Sequence, residues 1–181
     1  MRKALFLDRD GVLDDLVFHE DTGGYEAPRN AGEVRIRPNA REALRRAADD
    51  GWLLFVVSNQ TDAAKGHTTR DALRAAHERI VTELGNPPIT EFFYCFHRAE
   101  DGCRCRKPQP FFVLEAAKRY DINLADSWFV GDVDTDIECG KRAGCKTALL
   151  QYPHSGSKRG APQADLVCRD LDHFVRAIVR S

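Results

Sequence analysis

Two short acidic segments have the residue types and spacing to do chemistry. Asp8-Arg9-Asp10-Gly11 sets two carboxylates two residues apart, ahead of a glycine that lets the backbone turn sharply. Gly131-Asp132-Val133-Asp134-Thr135-Asp136 carries three more at alternate positions. Each segment alone has a plain reading: the first is a solvated turn, and in the second Asp is a good N-cap whose charge suits the positive end of a helix. Brought to one place, however, the carboxylates would repel one another unless a cation sat among them. Oxygen donors of this type favour Mg²⁺, a hard ion commonly held by one or two carboxylates together with substrate phosphate and water. Phosphoryl transfer also needs a nucleophile in line with the leaving oxygen and groups that neutralise the equatorial oxygens. Ser58 and Asn59 can donate hydrogen bonds, and Lys107, with Arg106 beside it, supplies positive charge.

A second cluster has metal-ligand spacing. Cys95-Phe96-His97 and Cys103-Arg104-Cys105, separated by five residues, offer a Cys₃His set. Zinc takes such a set tetrahedrally, and four protein ligands leave no position open for chemistry, so the expected ion is structural Zn²⁺. Because Cys105 directly precedes Arg106-Lys107, closing the metal site would fix the backbone that presents both cations. Cys139, Cys145 and Cys168 lie in apolar or helical segments and read as buried thiols.

The positioning elements follow from where apolar runs end. Ala4 to Leu7 stops at Asp8, Trp52 to Val57 stops at Ser58-Asn59, and Trp128 to Val130 stops at Gly131-Asp132. Helical periodicity fills the intervals at 39–48, 69–84, 111–120 and 137–143, further strands are expected at 147–151 and 165–167, and a closing helix at 171–179. Such alternation predicts parallel βαβ units in a Rossmann-like three-layer α/β sandwich. Right-handed crossovers then bring every strand's carboxyl end to one edge, where open α/β sheets bind ligands, so Asp8, Asp10, Ser58 and Asp132 should converge there. The segments 14–37 and 154–163, rich in Gly, Ser, Pro or acidic residues, read as surface loops.

The bulk numbers bound the rest. A chain of 181 residues, 43% hydrophobic and 30% charged, is expected to form one domain over 1–181. A net charge of -1 provides no overall field for nucleic acid or anionic membrane, so an anionic ligand must meet a local basic cluster. The apolar run after Arg2-Lys3 is far shorter than a secretory core, and the expectation is a cytoplasmic protein that binds no membrane.

DRDGVL, VVSNQ, CRKP and VGDVDTD occur in the order and approximate spacing of the four motifs of the haloacid dehalogenase (HAD) superfamily of phosphatases, which this chain resembles from Lys3 to about Gln151. The resemblance implies Asp8 as nucleophile and Asp10 as general acid and then base, with Ser58 and Lys107 on the phosphoryl oxygens. It also implies Mg²⁺ on Asp8, the Asp10 backbone carbonyl and Asp132, with Asp136 in support. Joined to CRKP, the cysteine-histidine insert resembles the subgroup containing D-glycero-D-manno-heptose 1,7-bisphosphate phosphatases and histidinol-phosphate phosphatase domains, which lack a large cap domain. Specificity would then come from the flap at 14–37, the loop 61–68 and the zinc loop 95–105.

For a heptose bisphosphate, Gly24-Tyr25, Asn59-Gln60-Thr61, Lys65 and Arg106 match the subgroup's substrate-contacting segments, and the implied partner is a small sugar bisphosphate, cleaved at its 7-phosphate by a monomer. The chain departs from the subgroup at Asp14-Asp15, at Asp62, where Gly is usual, at Ala63-Ala64, and at Val133, where many members have Lys; all lie near the substrate. Histidinol phosphate is the alternative substrate, for which Asp62 would suit an amine. An inactive zinc-stabilised binding module is the alternative of another class, opposed by the intact Asp8, Asp10, Ser58, Lys107 and Asp132. A polynucleotide end phosphatase is opposed by the lack of a basic tract or interleaved aromatics.

Overall fold

In the computed structural model, which describes residues 1–160 and 163–179, the fully apolar runs become neighbouring parallel strands. β1 (Ala4–Leu7) is buried throughout and pairs with β4 (Leu53–Asn59) on one side and β6 (Trp128–Gly131) on the other. Strands covered on both faces must be apolar at nearly every position, which is why these runs lack alternation. β5 (Ile89–Cys95), β7 (Lys146–Leu150) and β8 (Leu166–Cys168) extend the sheet, among the described residues, to six strands in the order β5-β4-β1-β6-β7-β8. Every pairing in it is parallel.

The pleat divides the core in two. Leu5, Leu7, Leu54, Val56 and Val130 face the layer formed by α1 (Ala40–Asp49), α3 (Arg70–Glu83) and α6 (Leu171–Ile178). Ala4, Phe6, Phe55, Val57 and Phe129 face α4 (Phe111–Tyr120) and α5 (Asp134–Ala143). The result is the three-layer α/β arrangement expected from the alternation of runs. Phe6 anchors the second layer, its ring 5.3 Å from that of Phe55 and 6.5 Å from that of Phe129.

Several expectations need correction. The 14–37 segment is not simply a surface loop: it holds an antiparallel hairpin of β2 (Val17–His19) and β3 (Gly24–Glu26), a 3₁₀ turn at Ala31–Glu33, and buried Asp14 and Val34. Strands of three residues are too short to print a readable alternation. The 154–163 segment, of which residues 161 and 162 lie outside the described residues, begins in a 3₁₀ turn at Pro153–Lys158 that buries Ser155. β5 was unexpected because, as an edge strand, ITEFFYC mixes Thr and Glu with aromatics. α5 starts three residues before the expected Ile137, at Asp134, since acids stabilise a first helical turn. A four-residue helix, α2 (Asp62–Lys65), follows β4.

Truncating Phe6 to Ala should remove about 3–5 kcal/mol of stability, because a ring shared by three strands leaves a cavity that rigid neighbours cannot close. Urea unfolding should report this as a lower midpoint with an unchanged slope.

Candidate active site

The carboxyl ends of β1, β4 and β6 meet at one edge, and a cleft of about 430 Å³ opens over them. Asp8, Asp10, Ser58, Lys107, Asp132 and Asp136 all reach it. Asp8 directly follows β1, its N–H bonded to the Val130 carbonyl at 2.9 Å, which aligns it with the end of β6. Gly11 (φ +86°) lets the chain turn back beneath Asp132: a Cβ there would lie 2.4 Å from Asp132 Oδ2. A Cβ on Gly131 would lie 2.2 Å from that of Asp136, so both acidic segments need a glycine at closest approach.

At the centre sits Lys107, only 3% exposed, its Nζ 2.7 Å from Asp8 Oδ1 and 2.7 Å from Asp136 Oδ1. The other Asp136 oxygen accepts from the N–H groups of Asp132 and Val133 at 3.2 Å each, where α5 begins. Asn59 fixes the backbone of Lys107 reciprocally, accepting from its N–H at 3.1 Å and donating to its carbonyl at 3.3 Å. Burial disfavours the ammonium, but Asp136 and Asp8 outweigh it and hold Lys107 charged above its usual range.

Asp10 belongs to a second set. Its Oδ1 accepts from Arg9 Nε at 3.0 Å and Nη2 at 2.7 Å; its Oδ2 accepts from Gln60 Nε2 at 2.5 Å and Ser58 Oγ at 3.2 Å. Arg9, 1% exposed, also donates to Gln60 Oε1 at 2.8 Å, so Asp10 is held from both sides. Asp14, fully buried close to Arg9, has no hydrogen-bond partner on either carboxylate oxygen among the described residues, and burial pushes its pKa well up.

The carboxylates meet the requirements of a hard cation. Ligand oxygens of Asp8, Asp132 and Asp136 lie within 4.8 Å of one another. Among the described residues Asp132 Oδ1 is buried without a partner, while Oδ2 accepts from Ser155 and the Asp132 carbonyl accepts from Arg159 Nε at 2.8 Å. Since both Asp136 oxygens already face donors, Asp136 suits a supporting position better than a ligand's. Burial raises Asp8, Lys107 pulls it back, and Asp136, Asp132 and Asp10 leave it at about 8; burial and Asp136 raise Asp132 to about 7. Bringing a divalent cation to these oxygens would favour their ionised forms.

The sulfur set has the dimensions of a zinc site. Cys105 Sγ lies 3.3 Å from Cys95 Sγ, 3.6 Å from Cys103 Sγ and 3.3 Å from His97 Nδ1; Cys95 Sγ lies 3.6 Å from both Cys103 Sγ and His97 Nδ1. A tetrahedron with Zn–S bonds of about 2.3 Å has edges of about 3.8 Å, so these atoms need only small outward shifts to hold the ion. Cys95 pairs with Asn59 in the sheet, and Arg98 Nε donates to Ala64 O at 2.7 Å. The loop thus braces both the residue that pins Lys107 and the short helix α2.

Of the other sequence-predicted residues, Asn59, Thr61, Lys65 and Arg106 line the cleft. Gln60 is buried against Asp10, and Gly24-Tyr25 sit in β3 next to Glu26 and Ala27, which form that wall. Sequence reasoning missed Arg9, Ser155, Lys158 and Arg159. An arginine between two aspartates normally reads as a solvated cation, and the 154–163 segment carries only turn residues.

Comparison with known proteins agrees with this geometry. The HAD-hydrolase-like family profile matches residues 104–174. The D-glycero-beta-D-manno-heptose-1,7-bisphosphate 7-phosphatase of Pseudomonas aeruginosa is 31% identical to this chain, covering 99% of each. The chain belongs to the HAD family of phosphatases. The corresponding Helicobacter pylori enzyme is 29% identical to this HAD phosphatase, covering 97% of each. A crystal structure of D,D-heptose 1,7-bisphosphate phosphatase from B. bronchiseptica, complexed with magnesium and phosphate, superposes with a TM-score of 0.84 at 29% identity over 97% of both chains. A HAD-like phosphatase from Mesorhizobium loti gives 0.76 at 27% identity, over 99% of this chain and 88% of its own.

Two expectations arise from the site of this HAD phosphatase. Raised from the ordinary 3.8, Asp8 and Asp132 keep protons in the folded chain that the unfolded chain has released between about pH 4 and pH 7–8. Folding therefore loses stability as pH rises through that window. Mg²⁺-free protein should melt at a lower temperature at pH 8 than at pH 5.5, the slope should shrink in Asp132→Asn, and added Mg²⁺ should recover stability at pH 8. A flat melting profile would refute the crowding of these carboxylates. Replacing Cys103 with Ala should lower both bound zinc, read by metal analysis, and phosphatase activity, because the loop would no longer brace Asn59 and α2.

Proposed function

We propose that this chain is a single-domain, Mg²⁺-dependent phosphomonoesterase that removes the 7-phosphate of D-glycero-D-manno-heptose 1,7-bisphosphate. The observation that carries the reading is Lys107 buried between Asp8 and Asp136 with Ser58 and Asp10 across the same cleft. The substrate assignment draws on the names of relatives that match almost the full chain.

In the proposed reaction an Asp8 carboxylate oxygen attacks phosphorus and the bond to the sugar oxygen breaks. Asp10 protonates the leaving oxygen, then takes a proton from the water that hydrolyses the aspartyl-phosphate. Arg9 and Gln60 keep the Asp10 carboxyl aimed at the cleft. The Ser58 hydroxyl exchanges Asp10 for a phosphoryl oxygen, and Lys107 neutralises another. Asp8, the Asp10 carbonyl and Asp132 would hold Mg²⁺, which would supply charge neutralisation at the phosphoryl group. Cys95, His97, Cys103 and Cys105 would hold a structural Zn²⁺, which would keep the Arg106-Lys107 backbone in place. Thr61, Lys65 and Arg106 face the sugar, with Gly24-Tyr25 in the flap above, while Asn59 serves the site through the Lys107 backbone.

A reducing cytoplasm fits six cysteines of which none forms a disulfide. Glu26 and Asp62 in the cleft wall give histidinol phosphate some support, since an amine would suit them. Their charge is offset by Arg29, 3.0 Å from Glu26, and by Lys65, 3.5 Å from Asp62, which favours the bisphosphate.

Asp8→Asn is nearly isosteric and should lower phosphate release by at least about a thousandfold while the protein still folds. In a phosphate-release screen of both anomers of the heptose bisphosphate, histidinol phosphate and simple sugar phosphates, the heptose bisphosphate should give the highest kcat/KM. A higher value for histidinol phosphate would reverse the substrate assignment.

A further inference from the structure

The cleft contains more cations than the chemistry at phosphorus requires, and their pairing differs. Lys107 faces two carboxylates and Lys65 faces Asp62 at 3.5 Å. Arg106 reaches back to the His97 carbonyl at 3.4 Å. Lys158 enters from the 3₁₀ turn after β7, and among the described residues its ammonium has no carboxylate within ion-pair distance. It donates to the carbonyl of Tyr25, at 3.5 Å. A carbonyl dipole offsets little of a full charge, so Lys158 keeps its electrostatic pull on an anion in the cleft.

The backbone that carries Lys158 is firmly held, although its residues are those of a loop. Ser155 is fully buried, its hydroxyl donating to Asp132. Arg159 closes the turn through three carbonyls, those of Asp132 at 2.8 Å, Leu150 at 2.8 Å and Tyr152 at 2.9 Å. The His154 ring stacks on Tyr25 with centroids 3.6 Å apart, tying the turn to the β2–β3 hairpin. Lys158 is therefore fixed relative to Asp132 on one flank and to the flap on the other. The sheet order sets β7 and β4 on opposite sides of β1, so Lys158 faces the site from the side opposite Lys65 and Arg106.

From this we infer that Lys158 is a specificity-determining residue that binds the anionic group of the substrate remote from the phosphate being cleaved. The inference rests on the bisphosphate reading of the cleft and extends it to a residue in a segment with no recognisable motif. Anchored through Ser155 and Arg159 to Asp132, the lysine links recognition of the remote charge to the carboxylate proposed to hold the metal.

The test is steady-state phosphate release by the full-length protein with Mg²⁺, comparing heptose 1,7-bisphosphate with heptose 7-phosphate. Loss of a charge-assisted contact in Lys158→Ala should lower the bisphosphate-to-monophosphate ratio of kcat/KM by about tenfold, mainly through KM for the bisphosphate. Lys158→Glu should lower the ratio further, and Lys158→Arg should return it to within about threefold of wild type. The lysine is exposed, so these variants fold, as circular dichroism will verify. A wild-type ratio in Lys158→Ala overturns the inference. If wild-type protein releases no phosphate from the heptose bisphosphate, the substrate reading fails by itself. The same ratio measured with fructose 1,6-bisphosphate and fructose 6-phosphate then decides Lys158, and a ratio that does not respond to the substitution overturns it.

Discussion

A buried ammonium between two buried carboxylates is the constraint around which the site is arranged. Taking Lys107, Asp8 and Asp136 out of water carries a desolvation penalty that only close pairing can offset, and the two 2.7 Å contacts provide that pairing. The same burial raises Asp8 and Asp132, so the cluster is short of positive charge without a metal ion. A site with this imbalance is prepared for a divalent cation and a phosphoryl group, whose charges complement each other there.

Holding Lys107 in place involves elements distant in sequence. Asn59, the last residue of β4, bonds both the N–H and the carbonyl of Lys107, and its register partner in β5 is Cys95. The sulfur cluster is thus an extension of the sheet edge that reaches the buried Lys107 through one asparagine. On the other side, Asp136 joins the start of α5 to Lys107 through its two oxygens. Helix, strand and cysteine-histidine loop converge on one ammonium, and rigid convergence of this kind keeps groups within the tolerance that phosphoryl transfer demands.

The remaining walls are built from short segments with buried polar anchors. Arg9 and Gln60 hold Asp10 from beneath, Ser155 and Arg159 hold Asp132 from the β7 side, and Tyr25 stacks on His154 to join flap and turn. Arg29 further ties the hairpin together, through Asp21 at 2.8 Å and Glu26 at 3.0 Å, and approaches Asp62 at 3.9 Å. With few apolar contacts of their own, these segments depend on charged and hydrogen-bonded pairs for their conformation.

Much of this protein was legible in its residues, because burial on both faces forces continuous apolar runs and the point where such a run stops is itself a signal. The ends of β1, β4 and β6 located Asp8, Ser58 and Asp132 on one edge, and compact ligand spacing exposed the sulfur cluster. The hairpin within 14–37, the edge strand β5, the burial of Arg9 and Asp14, and the anchored turn bearing Ser155, Lys158 and Arg159 were not legible. Their conformations depend on contacts with residues up to more than a hundred positions away, as between Leu16 and Tyr152, which no local pattern records. Sequence alone therefore determined the buried central strands, the longer helices and the kinds of chemistry at the sheet edge, since these follow from periodicity and residue type. Only the tertiary structure decided which polar side chains are buried and what each one faces, because desolvation and charge pairing depend on the whole surroundings of a group rather than on its neighbours in the chain.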